Sequence, residues 1–167
     1  MRLKFSTLSS VMMALFLMLL ANPANAQESK VKSIFIMKFV ENVAWPDKKE
    51  AFVIGIVGGA EIKSELESRL AVKNPLNLVV KDVTSENAGT CDVVFVASDK
   101  DSQFSKVKEA TNAKKVLLIT ESDLASKGAG ISFFTENNKM RFAINKSSIE
   151  SRGLKISSTL LNLAKIV

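Results

Sequence analysis

A chain of 167 residues without a single histidine cannot build Ser-His-Asp or Cys-His catalysis, nor any histidine-ligated metal site. Its lone cysteine, Cys91, excludes an intramolecular disulfide. The net charge of +6 is a mild excess spread along the chain, and no basic run interleaved with aromatics marks a nucleic-acid surface.

Arg2 and Lys4 precede the apolar run Val11–Ala21, and Ala24-Asn25-Ala26 has the small-x-small form of a cleavage site. This pattern predicts a signal peptide over residues 1–26, with Gln27 as the first residue of the exported chain. The apolar run is too short for a bilayer core, which needs about 20 residues. Removing the leader takes away two basic residues and no acidic ones, so the exported part stays mildly basic. Residues 27–167 are enough for one domain with a real core.

Ser29–Val43 reads as the first helix. Val31, Ile34, Phe35, Phe39, Val40 and Val43 make its apolar face, and Lys32 and Glu41 fall elsewhere. Trp45-Pro46 ends it, because a residue before proline is pushed towards extended geometry. Trp45 is expected to plug the core beneath the first strand. Ala51–Val57 reads as a central parallel strand covered on both faces. Gly58-Gly59 turns the chain into a helix over Glu61–Leu70. Gly55, Gly58 and Gly59 do not make GxGxxG, and Glu61 and Glu65 near the helix start oppose a phosphate, so the glycines read as a structural turn.

Further strands are predicted at Leu76–Val83, Asp92–Ala97 and Val116–Thr120. A helix is predicted over Ser102–Thr111, and a short helical turn over Ser122–Lys127, capped by Ser122 and closed by Gly128. Cys91 opens an apolar run and is expected to be buried and inert. Ile131, Phe133 and Phe134, then Met140, Phe142 and Ile144, read as a β-hairpin, with Asn137 and Asn138 tolerating positive φ in the turn. Ser147 and Glu150 have capping-box spacing, Gly153 sits where a helix stops, and Ser157 can cap a last helix. Leu160, Leu161, Ala164 and Val167 line one face of that helix, and Ile156 with Leu161 can staple its start. Alternating strands and helices predict an α/β fold: a three-layer αβα sandwich with a mostly parallel sheet and a C-terminal antiparallel hairpin at its edge.

Two carboxylate pairs, Asp99/Asp101 and Glu121/Asp123, follow strands, where open α/β sheets place ligand sites. They lack a nucleophile or a phosphate-binding partner, and ordinary loop and capping use accounts for them. Arg141 and Asn145, four residues apart, are expected on one strand face that can hold a carboxylate or phosphate, or satisfy a helix end. No catalytic residue, metal ligand or cofactor is expected.

The order SIFIMKFVENVAWP, FVIGIVGG, CDVVFVAS, VLLITES, GISFF, MRFAIN and GLKISSTLLNLAKIV resembles the YfiR/HmsC-like family from about Lys30 to Val167. Members are periplasmic, and the resemblance implies a non-enzymatic repressor of an inner-membrane diguanylate cyclase, acting on cyclic di-GMP and biofilm formation. Several members use disulfides, and this chain departs from them. Arg141, Asn145, Arg152 and Lys155 are the candidate ligand- or partner-binding residues. The implied partner is the periplasmic domain of a membrane signalling protein, with no nucleic acid; pairing of two copies stays open. A second reading is a periplasmic small-molecule-binding domain serving a sensor or transport system, using the cleft at the strand ends.

Overall fold

The structure, a computed structural model, describes residues 23–47 and 51–167. The expected leader lies over residues 1–26, and residues 1–22 fall outside the described part. The chain runs α1 (Pro23–Glu41), β1 (Val43–Ala44), β2 (Phe52–Val57), α2 (Ala60–Val72), β3 (Leu78–Asp82), β4 (Val93–Val96), a 3₁₀ segment (Ser98–Gln103) leading into α3 (Phe104–Ala110), and β5 (Leu117–Thr120). It continues with β6 (Ile131–Glu136), β7 (Lys139–Ile144), α4 (Lys146–Glu150), β8 (Lys155–Ile156), α5 (Ser158–Leu161) and β9 (Lys165–Ile166).

The main sheet has the order β3-β2-β4-β5-β6-β7-β9. Its first five strands are parallel, β6 and β7 are antiparallel, and β9 runs parallel to β7. Successive residues point to opposite faces of a strand, and β4 shows what this does. Val93 and Phe95 join one apolar layer, with Ile36 and Phe39 of α1 and Ile62 and Leu66 of α2. Val94 and Val96 join the other, with Phe104 and Val107 of α3. Helices therefore cover both faces, as the continuous apolar strands require, and the expected αβα sandwich is what forms.

α1 is tied to the hairpin by aromatic contacts. The Phe39 ring lies 5.0 Å from that of Phe142 and 5.6 Å from that of Phe133. Trp45 meets Phe52 edge-on at 5.1 Å and packs against the core, as expected. Gly55 is required in the centre of β2, because a Cβ there would lie 2.7 Å from the Cys91 sulfur.

Several local expectations are corrected. α1 stops at Glu41, and Val43–Ala44 pairs antiparallel with β8, so extended geometry begins before Trp45-Pro46. Ile34 is 42% exposed, while Ile36, absent from the expected face, is fully buried: with Phe39 and Val40 it makes the i, i+3, i+4 stripe that faces the sheet, and Ile34 falls on the far side. Lys32 is buried, not solvated. The predicted helix over Ser102–Thr111 is a 3₁₀ segment followed by only two turns of α-helix. Ser122 does not cap a helix; Gly128, at φ 106°, does close the short 3₁₀ turn Ala125–Lys127. α4 is capped by Asn145, whose side chain accepts from the Ser148 N–H, and not by Ser147. The hairpin turn forms as expected, with Asn137 and Asn138 at φ 50° and 56°. The hairpin is not the edge of the sheet, because β9 lies outside β7. Ser157 caps α5 as expected, but that helix ends at Leu161 and Lys165–Ile166 turns extended.

Candidate functional site

The strand order creates one place where a site is expected. From β2 the chain crosses to β3 on one side and then to β4 on the other, so the crossovers leave the C-terminal ends of β2 and β4 in opposite directions. Open α/β sheets bind ligands at such a switch point. A cleft of about 480 Å³ lies there. Gly59 reaches it from the turn after β2, Glu61 from the first turn of α2, Ser98 and Asp99 from just after β4, and Glu121 from the end of β5. α1 brings Glu28, Ser29 and Lys32 to the same cleft.

Lys32 is the organising charge. Its ammonium lies 2.6 Å from Glu121 Oε1 and 2.5 Å from Glu28 Oε1. The Lys32 side chain is 7% exposed and that of Glu121 19%. Burial by itself pushes the Lys32 ammonium down, but hydrogen bonds and charge from Glu121 and Glu28 outweigh it, and its pKa lies above the ordinary lysine value. Burial pushes the Glu121 carboxyl up, yet the Lys32 hydrogen bond and the Ser98 N–H outweigh that, and its pKa lies below the ordinary range. The Ser98 N–H donates to Glu121 Oε2 at 2.7 Å. On the opposite wall, the Ser29 hydroxyl donates to Glu61 Oε2 at 3.3 Å.

The cleft thus fixes charges and hydrogen-bonding groups without arming a nucleophile. Lys32 is held by carboxylates, and Glu28, Glu61 and Asp99 give the lining an acidic balance. Among the described residues no cluster of His, Cys, Asp or Glu is arranged to hold a metal ion. Only one member of each carboxylate pair reaches the cleft: Asp99 and Glu121 line it, while Asp101 and Asp123 do not. The signal for Glu121 was its position just after a strand. Lys32 carried no such signal, because a lysine on a helix ordinarily reads as solvated.

The four candidate binding residues lie elsewhere. Arg141 is exposed on β7, with its Nε 4.0 Å from Glu136 Oε2. Asn145 follows β7 and is used structurally: its Oδ1 accepts from the Ser148 N–H, and its Nδ2 donates to the Ala125 carbonyl at 2.8 Å. Arg152 is buried and donates from Nη1 to the Thr111 carbonyl at 2.6 Å, with burial pushing its guanidinium pKa down. Lys155 is exposed on β8, paired in register with Ala44. None of the four lines the switch-point cleft. Asn145 and Arg152 act as ties between elements; of the Arg141/Asn145 pair, only Asn145 satisfies a helix end, and Arg141 does not join it.

Among the described residues no helix is long and apolar enough to cross a membrane. A family described as YfiR/HmsC-like matches the sequence over residues 29–165. Comparison with curated proteins gives no significant match. Among solved structures, the chain is similar in fold to one described as the ABC domain in complex with L-Trp from Streptococcus pneumonia. That similarity has a TM-score of 0.57 at 13% identity, and covers 83% of this chain and 60% of the other. The chain therefore spans less than two thirds of that neighbour's length, and at this identity the likeness concerns the fold alone.

Proposed function

From the premise that this chain belongs to the YfiR/HmsC-like family, we propose that it is an exported regulatory protein that restrains a membrane-bound diguanylate cyclase by binding its periplasmic domain. The observation that carries this reading is the family match, which spans nearly the whole of the described chain. A histidine-free sequence and a cleft whose lysine is locked between carboxylates favour control by binding over control by chemistry. A binding inhibitor shifts its target only as far as it prefers the inactive state. The exposed Arg141 and Lys155 are the contact candidates that keep their charged ends available, whereas Arg152 is committed to the interior.

Deletion is expected to raise cyclic di-GMP and biofilm formation, and supplying the exported protein to lower both. A form lacking residues 1–26 is expected not to rescue, because it stays in the cytoplasm. Unchanged cyclic di-GMP on deletion, in cells shown to make the protein, would remove the cyclase as target.

A second reading rests on the switch-point cleft: a small polar molecule bound between Glu61, Asp99 and the Lys32–Glu121 pair. One solved structure of similar fold holds a small molecule, L-Trp. Mass spectrometry of gently purified protein tests it: a copurified ligand, lost in an Asp99→Lys variant, supports this reading.

A further inference from the structure

A second concave surface lies away from the switch point. α1 and α2 are bridged by Arg69, whose Nε donates to the Ser33 hydroxyl at 2.7 Å and whose Nη2 donates to the Lys30 carbonyl at 3.2 Å. Alongside this bridge runs an open groove of about 830 Å³. Its apolar lining comes from Ile34 and Met37 of α1, Val72 of α2, and Leu76 beyond it. Ile34 is 42% exposed and Val72 is 89% exposed, in a chain whose other helix-borne aliphatics largely reach the core. Set together in one groove, these side chains offer apolar surface that a partner can cover.

The charge around the groove is what selects an occupant. Lys38 is held by Glu41 at 2.6 Å, which cancels that pair. Lys30, Arg69 and Lys73 then face only Glu65. Arg69 donates to neutral oxygens, so its charge is not cancelled by its hydrogen bonds. We infer that the groove between α1 and α2 receives an amphipathic helix of a protein partner, with apolar residues at i, i+3, i+4 and i+7 and carboxylates flanking them. A groove walled by two helices and lined by apolar side chains suits helix-in-groove recognition. The basic rim supplies register and rate of encounter. α2 has 13 residues and is therefore about 20 Å long, so it matches an occupant of three to four turns.

The alternatives fit less well. A symmetric pair formed through this face would bring the net-positive rims of two copies together. A bilayer is flat and cannot fill a concave groove between helices. The inference goes beyond the cyclase reading, since it concerns the chemistry of the occupant whichever protein carries it.

The test uses the purified protein and a fluorescein-labelled helical peptide of about 14 residues, with leucine at the four anchor positions and glutamate on both flanks. Saturable binding by fluorescence anisotropy is expected, at least tenfold weaker for Val72→Asp and with no change for Lys139→Glu, an exposed position outside the groove. Lys73→Glu is expected to weaken the glutamate peptide and to strengthen a lysine-flanked version. Both groove variants are checked by circular dichroism, and Lys73→Glu decides the matter if Val72→Asp does not fold. Failure of the glutamate peptide to bind overturns the inference, as does equal binding of the lysine peptide or indifference to both groove substitutions. Concentration-dependent dimerisation that Val72→Asp abolishes assigns the groove to a second copy instead, and binding to phosphatidylglycerol vesicles that the same variant abolishes assigns it to lipid; either overturns it.

Discussion

Lys32 illustrates how a single side chain can be costly and well placed at once. Removing an ammonium from water is expensive, and only close opposite charge and hydrogen bonding repay it. Glu121 and Glu28 provide both, and the Ser98 N–H holds Glu121 in position. Lys32→Met leaves Glu121 mostly buried without its cation, and is expected to cost about 3 kcal/mol in urea unfolding. Replacing both partners, as Lys32→Met with Glu121→Leu, is expected to recover most of that loss. The pH dependence has a definite sign. Glu121 has a lowered folded pKa, so its contribution is present above the unfolded carboxylate value of about 4.3 and is lost as the pH falls through the folded value. Lys32 has a raised folded pKa, so its contribution is present below about 10.4 and is lost as the pH rises through the folded value. Melting followed from pH 7 down to pH 3 should therefore fall more steeply for the wild type than for Glu121→Gln. Parallel curves for the two proteins would show that the pair contributes nothing to folding.

At the scale of elements, the C-terminal segment separates into parts of unequal weight. α4 closes on Gly153 at φ 75°, with the Gly153 N–H on the Glu150 carbonyl and the Leu154 N–H on the Ile149 carbonyl, a Schellman ending. That ending aims Leu154 into the core, where it is 1% exposed, and Leu160 of α5 follows at 5%. β9, by contrast, is exposed at both residues. A chain ending at Gly153 loses both leucines, each worth roughly 1.5–3 kcal/mol. It also loses the partner of β1, and the sum approaches the whole stability of a domain, about 5–15 kcal/mol. It is expected not to melt cooperatively, whereas a chain ending at Leu161 should retain a cooperative transition at lower temperature. Calorimetry of the two truncations checks this, and native-like melting of the shorter one would make the last fourteen residues, 154–167, peripheral.

At the scale of the molecule, no disulfide within the chain contributes to stability, because Cys91 is the only cysteine. The residue is 5% exposed, and burial pushes the thiol pKa up, which makes it a poor nucleophile. The melting temperature is therefore expected to be the same with and without reductant, and native Cys91 should react with iodoacetamide far more slowly than the unfolded chain. A marked drop in reducing buffer would mean that Cys91 bridges two chains. What holds the sheet together is packing on both faces, with the aromatic cluster of Phe35, Phe39, Phe133 and Phe142 joining the first helix to the hairpin from opposite ends of the sequence.

Local chemistry made much of this legible in the sequence alone. Alternation and turn residues located the hairpin, because the positive φ of Asn137 and Asn138 is a property of those two residues. Continuous apolar runs located the buried strands, and the order of motifs identified the family. Other features depended on partners distant in the chain. Leu160, Leu161, Ala164 and Val167 fit a helical period, yet the outer edge of β7 offered unpaired backbone groups, and the Val167 N–H pairs with the Ile144 carbonyl at 3.0 Å. The buried face of α1 is different: Ile36, Phe39 and Val40 stand at i, i+3 and i+4, so the helical period by itself buries Ile36 and exposes Ile34. Lys32 reads as solvated until Glu121, eighty-nine positions later, is folded against it. The strand order that creates the switch-point cleft is likewise invisible locally, because periodicity records which face of an element is apolar and carries no information about which neighbour will cover it.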